Sequence, residues 1–243
     1  MKRICTICAR AGSKGVRGKN LRLLNGLPLL AHSLHQAVAS GLFDEIAVSS
    51  DSPEILRIAK EHGATVLVNR PVEMATDVAA KLPVIRHCVA EVERTLGVTF
   101  DTCIDLDATS PLRDVEDIRA VVEILEGSGT GNVITAMPAR RSPYFNMVEQ
   151  DERGVVRLAK QTASPVVRRQ DAPACFDMNA SIYGWTREVL MTAPGLFNHD
   201  TRLHVMPEER SIDIDSEVDF LLVELLMSRS EHVNTAEAKE GQP

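Results

Sequence analysis

Strand-like and helix-like segments alternate from residue 2 to residue 138, and no other feature restricts the fold as much. "KRICTICA" (2–9) is a short apolar run, and "PLLAHSLHQAVASG" (28–41) opens with proline and closes with glycine, the order expected of a helix. "DEIAVSS" (44–50) reads as a second strand. "SPEILRIAKEHG" (52–63) reads as a helix with Ser52 as N-cap, Pro53 in the first position and Gly63 past the end. "ATVLV" (64–68) and "TCIDLD" (102–107) are strands flanking a helix at 81–96, and Asp114–Glu126 is a helix before the strand "NVITAMP" (132–138). Strands that alternate with helices pair side by side with helices on both faces, so the pattern predicts a doubly wound, mostly parallel α/β sheet.

The rhythm breaks at 139–180, which is rich in Arg, Pro, Gln and Asp and reads as an inserted arm. "SIYGW" (181–185), "RLHVM" (202–206) and "SIDID" (211–215) return as strands, and "SEVDFLLVELLM" (216–227) is a closing helix. The polar tail from Ser230 is expected to be disordered. At 243 residues the chain suits one domain over 1–229, with the arm inserted in it and a tail at 230–243. The arm has few apolar residues for a core of its own, so a partner surface is its expected support, and a homodimer follows.

Charge is distributed unevenly. The formal net charge is −7, yet residues 1–43 hold seven Lys or Arg and no acid, while the other 200 residues hold 20 bases and 34 acids. An acidic chain disfavours nucleic acid and anionic membranes as partners, and aromatics at 4% offer few platforms for stacked bases. The basic residues gather in "CARAGSKGVRGKNL" (8–21), where Gly12, Gly15 and Gly18 alternate with Arg10, Lys14, Arg17 and Lys19. Loop amides and cations after a first strand suit a small anion such as a triphosphate at the carboxyl edge of the sheet. The loop is not a Walker A motif, because Asn20 follows Gly18-Lys19 and Ser13 stands five before Gly18; nor does its spacing fit G-x-G-x-x-G. Five cysteines, an odd number, argue against a disulfide framework, and the lone Cys5-x-x-Cys8 falls in a strand that would point the two to opposite faces. No signal-like or membrane-length apolar run is present, so a cytoplasmic protein is expected.

In "SIDIDSEVD" Asp213 and Asp215 alternate with isoleucines, so a strand would turn both carboxylates to one side and Ile212 and Ile214 to the core. Adjacent like charges call for a cation, and oxygen-only ligands suit Mg²⁺ completed by substrate phosphate oxygens. In "DATSPLR" (107–113) Thr109 and Ser110 offer hydroxyls at the end of a strand, a pattern equally at home in an ordinary strand-to-helix turn.

Taken in order, "ARAGSKGVRGKNL", "RPVEMATD" (70–77), "DATSPLR", "RQDAPACFDMNASIY" (169–183) and "SIDIDSEVD" resemble the motifs of the acylneuraminate cytidylyltransferases, the CMP-sialic acid synthetase family. The matches span residues 4–227. The resemblance implies a Rossmann-like sheet with a small dimerisation insertion whose arm reaches the neighbouring subunit's sugar site. It implies transfer of CMP from CTP to a nine-carbon 2-keto sugar acid with release of pyrophosphate and Mg²⁺ as cofactor. By motif position Arg10, Gly12, Ser13 and Lys19 would face the triphosphate, and Asn20, Arg70 and Asp107, with Thr109 and Ser110, would border the nucleotide. Arg169, Gln170, Asn179 and Tyr183 would line the sugar site, and Asp213 and Asp215 would hold the metal; Arg10, Lys19 and the two aspartates would carry catalysis. The chain departs from the pattern at Asp107, where sialic-acid members carry Gln, at Asp177, where they carry Arg, and at Ala180, where they carry Gly. With Phe176 and Met178 beside Asp177, these changes favour a legionaminic-type acid over N-acetylneuraminic acid. Two other readings stay open, a nucleotidyltransferase for Kdo or a sugar phosphate and a nucleotide-binding module without catalysis.

Overall fold

The computed structural model describes residues 1–240 other than 13, 14, 77, 78, 163 and 165 and, from 230 onward, the backbone alone. Strand β1 (Arg3–Cys8) is followed by a small hairpin, β2 (Leu23–Leu24) and β3 (Leu27–Pro28), that leads into α1 (Leu29–Ser40). The expected alternation then runs through β4 (Glu45–Ser50), α2 (Pro53–Glu61), β5 (Val66–Asn69), α3 (Lys81–Leu96), β6 (Thr102–Leu106), α4 (Val115–Gly127) and β7 (Asn132–Pro138). The arm carries a separate hairpin, β8 (Val148–Gln150) and β9 (Val156–Leu158). Strand β10 (Phe176–Thr186), α5 (Arg187–Thr192), β11 (Arg202–Val205) and α6 (Glu217–Glu240) complete the chain.

Seven strands form one sheet in the order β11-β7-β10-β6-β1-β4-β5. All its pairings are parallel except those of β10, which runs antiparallel between β6 and β7. The chain steps from β1 to β4 and β5 on one side, then crosses to β6 on the other. That reversal opens a crevice at the carboxyl ends of β1 and β6, the place where open α/β sheets take ligands.

Apolar stripes on the helices account for the layers. Leu30 and Leu34 of α1, Ile55 of α2 and Ile118 and Val121 of α4 pack one face, while Ile85, Val89 and Val92 of α3 and Leu190 of α5 pack the other. Cys5 joins the first core and Cys8 packs against the second, on opposite faces of β1. A third cluster joins Val16 of the basic loop to Leu24, Leu29, Ile214, Phe220 and Val223. It ties the N-terminal loop to the segment around Asp213 and to α6.

One expectation is corrected here. Residues 211–215 form no ladder with the sheet, because their polar groups bond to loops instead; the Ile214 amide donates to the Thr109 carbonyl at 2.9 Å. Helix α6 runs to Glu240, with no Gly or Pro before Gly241. Among the described residues no helix is long and apolar enough to cross a membrane.

Candidate active site

The basic loop is folded back onto the carboxylate segment. Asn20 donates from Nδ2 to the Arg10 carbonyl at 2.9 Å, and Gly18, at φ +63°, turns the chain into the short helix Lys19–Leu21. Val16 and Ile214, both fully buried, hold the two segments together. The approach is so close that a Cβ on Gly15 would lie 1.9 Å from the Asp215 carbonyl oxygen. Lys19 consequently reaches across: its Nζ donates to the Ile214 carbonyl at 2.6 Å and lies 3.3 Å from Asp215 Oδ1. Arg22 is drawn away to α6, where it pairs with Glu217 at 2.5 Å and stacks over the Phe220 ring.

Beside this loop, in the crevice of the sheet, lies a cavity of about 240 Å³ lined by Arg10, Asn20, Arg70, Lys81, Asp107 and Thr109, among others. Arg70 is buried and anchored, with Nη2 donating to the Ser49 carbonyl at 2.6 Å and Nε to the Ser49 hydroxyl at 3.2 Å. Asn20 is buried too, and its Oδ1 has no hydrogen-bond donor among the described residues. A buried acceptor without a donor is costly, so this oxygen suits a ligand hydroxyl or amine. Asp107 Oδ1 accepts from the Thr109 amide at 3.0 Å and hydroxyl at 2.9 Å, and Oδ2 from Lys81 at 2.8 Å. Burial works to raise the Asp107 pKa, but Lys81 and the Thr109 bonds outweigh it and hold the carboxyl well below its usual range.

Lys81 and Arg113 escaped the sequence reading of the site. Arg113 lies under the turn, donating to the Asp107 and Ser110 carbonyls and to the Ser181 hydroxyl, and burial pushes its pKa down to about 10. Lys81 lies over the Tyr183 ring, 4.3 Å from its centroid, and the ring itself stacks on Trp185. A lysine in the first turn of a helix opposes the helix dipole, and that was the available signal that Lys81 answers nearby acids.

Asp213 and Asp215 border a second cavity of about 370 Å³ with Arg140, Ser211, Ile212 and Leu222. Burial and the neighbouring Asp215 charge raise the Asp213 pKa. The segment owes its course to ties from many elements. Arg210 holds the buried Asp117 of α4 at 2.9 and 3.0 Å, and Asp219 of α6 accepts from the Asp215 amide at 3.1 Å. Among the described residues no group of three or more His, Cys, Asp or Glu could enclose a metal. Two crowded oxygen ligands do fit a hard divalent cation whose remaining ligands come from substrate and water.

Other expected site residues fare differently. Ser13 lies outside the described residues. Gly12 is on the exposed rim of the loop, and Ser110 is fully buried and away from the cavity lining. Arg169 and Gln170 lie exposed on the arm, where Arg169 donates to the Ala139 carbonyl at 2.9 Å. Asn179 lies buried and bonded within the fold. Its oxygen accepts from the Thr135 hydroxyl at 2.7 Å and the Ser181 amide at 3.3 Å, while its nitrogen donates to the Ser211 hydroxyl at 3.0 Å and to Met206 Sδ at 3.3 Å. That uses the amide's whole capacity and leaves nothing for a substrate.

A family model described as cytidylyltransferase matches residues 4–221. The chain belongs to the cytidylyltransferase family. This cytidylyltransferase is 46% identical to the CMP-N,N'-diacetyllegionaminic acid synthase of Campylobacter jejuni subsp. jejuni serotype O:2, over 93% of this chain and 94% of that one. It is 45% identical to the post-translational flagellin modification protein B of Campylobacter coli, over 92% and 94% of the two chains. The fold also matches a CMP:2-keto-3-deoxy-manno-octonic acid synthetase solved with CTP, at a TM-score of 0.68 and 17% identity, covering 95% of this chain and all of that one. The cytidylyltransferase fold is thus shared well beyond sequence similarity.

Proposed function

We propose that this cytidylyltransferase transfers CMP from CTP to the anomeric hydroxyl of a nine-carbon 2-keto sugar acid of the legionaminic type, releasing pyrophosphate. The observation that carries this is the contact of Lys19 with the Asp213–Asp215 segment, which joins a cationic loop next to the cavity lined by Arg10, Asn20 and Arg70 to the carboxylate pair of the second cavity. The cavity, with Arg10, Arg70 and the free Asn20 oxygen, takes the nucleoside; the loop takes the phosphates. Mg²⁺ held by Asp213 and Asp215 would supply positive charge to the triphosphate. Lys19, fixed by the Ile214 carbonyl, aims its ammonium where pyrophosphate charge develops, and preorganised charge of this kind is what lowers such barriers. The sugar hydroxyl attacks the α-phosphorus in line as pyrophosphate leaves from the opposite side, so catalysis rests on positioning and electrostatics without a nucleophilic side chain. The relative named for diacetyllegionaminic acid and the apolar Phe176 and Met178 support the choice of sugar.

Pyrophosphate release with each nucleoside triphosphate and a panel of sugar acids tests the reading. CTP with a legionaminic-type acid should give the highest kcat/KM; a higher value for N-acetylneuraminic acid defeats the sugar assignment alone. Asp213→Asn and Asp215→Asn should each lower turnover by roughly a hundredfold. Undiminished turnover of the wild-type enzyme in excess chelator would remove the metal from the reaction.

A further inference from the structure

We propose that Lys19 is the resident counter-charge of the carboxylate pair, so that a divalent cation and the triphosphate bind this site as a coupled pair. The inference rests on the reading of Asp213 and Asp215 as metal ligands and goes on to name what regulates their use. The Lys19 ammonium lies against the segment that carries both aspartates. Its Nζ donates to the Ile214 carbonyl at 2.6 Å and lies 3.3 Å from Asp215 Oδ1. The lysine side chain is 14% exposed and that of Asp215 is 77% exposed. The cation is therefore the fixed member of the pair, and the carboxylate is the member open to solvent.

Ties on both sides keep the ammonium there. Gly15 packs onto the Asp215 carbonyl, Val16 shares a core cluster with Ile214, and Arg22 pairs with Glu217 at 2.5 Å. From the other side Asp219 Oδ2 accepts from the Asp215 amide at 3.1 Å and from the Ser216 amide at 2.7 Å, which fixes the backbone of the aspartate. Asp215 can turn its carboxylate, but neither backbone can carry Lys19 away. Lys19 consequently neutralises Asp215 while the nucleotide is absent, and it remains beside any divalent cation that the two aspartates take up. Like charges so placed oppose one another, and a site shielded from water screens them poorly. A triphosphate removes the conflict, because its oxygens accept from the ammonium and also complete the coordination of a hard cation. Lys19 thus sets a coupling free energy between the two ligands, and such coupling is reciprocal. Once pyrophosphate leaves, Lys19 regains Asp215 and weakens the hold of the site on the cation, which favours release of both.

Direct metal binding tests this, read from the loss of the free Mn²⁺ electron paramagnetic resonance signal with no sugar acid present. Lys19→Gln keeps a donor for the Ile214 carbonyl and removes the charge, whereas Lys19→Arg keeps the charge. Without nucleotide, Lys19→Gln should bind Mn²⁺ about tenfold more tightly than the wild type, the size expected when one unit charge is removed from beside a divalent cation at a partly solvated site. Lys19→Arg should bind it like the wild type, and Asp215→Asn should weaken binding in either background. Saturating CTP, with the Mn²⁺ held by free nucleotide accounted for, should tighten wild-type binding about tenfold more than it tightens that of Lys19→Gln. A folded Lys19→Gln protein that binds Mn²⁺ no more tightly than the wild type overturns the proposal. Should that variant fail to fold, Lys19→Met is read in its place, and a wild-type Mn²⁺ affinity indifferent to CTP overturns the proposal whichever variant folds. If neither the wild type nor the variant takes up Mn²⁺ even with CTP, the reading of Asp213 and Asp215 as metal ligands falls and takes this inference with it, a result distinct from the failure of Lys19 alone.

Discussion

At the scale of single residues, two backbone positions connect sequence to site directly. Gly15 is required because the loop touches the Asp215 carbonyl, and any side chain there must push the two segments apart. Gly15→Ala should therefore lower turnover by about two orders of magnitude, since the displaced charges act only in place. Gly12→Ala, which has no heavy atom within 4 Å of its added Cβ, should melt like the wild type. Steady-state kinetics and thermal melts of the pair check this; a fully active Gly15→Ala enzyme would refute the close approach. Ala180 is the converse case, an alanine at φ +52° at the irregularity in β10 between Met178 and Tyr183. The left-handed region disfavours a Cβ, so Ala180→Gly should stabilise the fold by about 1 kcal/mol, read from the midpoint of urea unfolding.

At the scale of elements, the start of α4 governs the carboxylate segment. Asp114 caps the helix and forms a capping box with Asp117. The same Asp117 carboxylate accepts from Arg210 and lies 3.1 Å from His204 of β11, so one buried group links α4, β11 and the run into Asp213. Burial acts to raise its pKa, but His204, Arg210 and the Asp114 amide outweigh that and hold it well below the ordinary carboxylate value. A depressed folded pKa contributes stability that is fully present above the unfolded value, near 4, and is lost as pH falls through the folded one. Asp117→Asn should therefore destabilise by about 3 kcal/mol at pH 7, as expected for one partner removed from a buried pair, and by progressively less below about pH 4. Urea unfolding across that range measures the difference; a constant gap between the two proteins would refute the charge assignment.

At the scale of the whole molecule, the arm is the part least supported by its own subunit. In the β8–β9 hairpin Val148 pairs with Leu158 and Gln150 with Val156, which puts the three apolar side chains on one face. Val148 and Val156 are more than half exposed, at 58% and 55%. An isolated two-stranded hairpin is marginal in water and needs a surface to pack on. We propose that a homodimer supplies one, and light scattering should then give twice the chain mass. Val148→Asp with Val156→Asp should give a folded monomer of reduced turnover. A wild type that is monomeric and fully active at all concentrations would end the proposal.

The sequence alone was enough for the order of the sheet strands and helices up to β7, though not for the β2–β3 hairpin, because apolar periodicity and caps are local and survive any tertiary arrangement. It was enough as well to single out Asp213 and Asp215 as two like charges one residue apart. It misjudged the same segment as a strand, since whether 211–215 joins a ladder depends on neighbours far away in the chain. Lys19 meets Ile214 across 195 residues and Lys81 meets Asp107 across 26, and no local pattern announces either contact. Asn179 looked like a ligand residue by motif, yet its four hydrogen-bonding positions are taken by β7, by β10 itself and by the 206–211 segment. Composition and spacing determined which chemistry the chain could carry. Only the packed structure decided which polar groups were left over to perform it, because satisfaction of a buried donor or acceptor is a property of the whole surrounding shell.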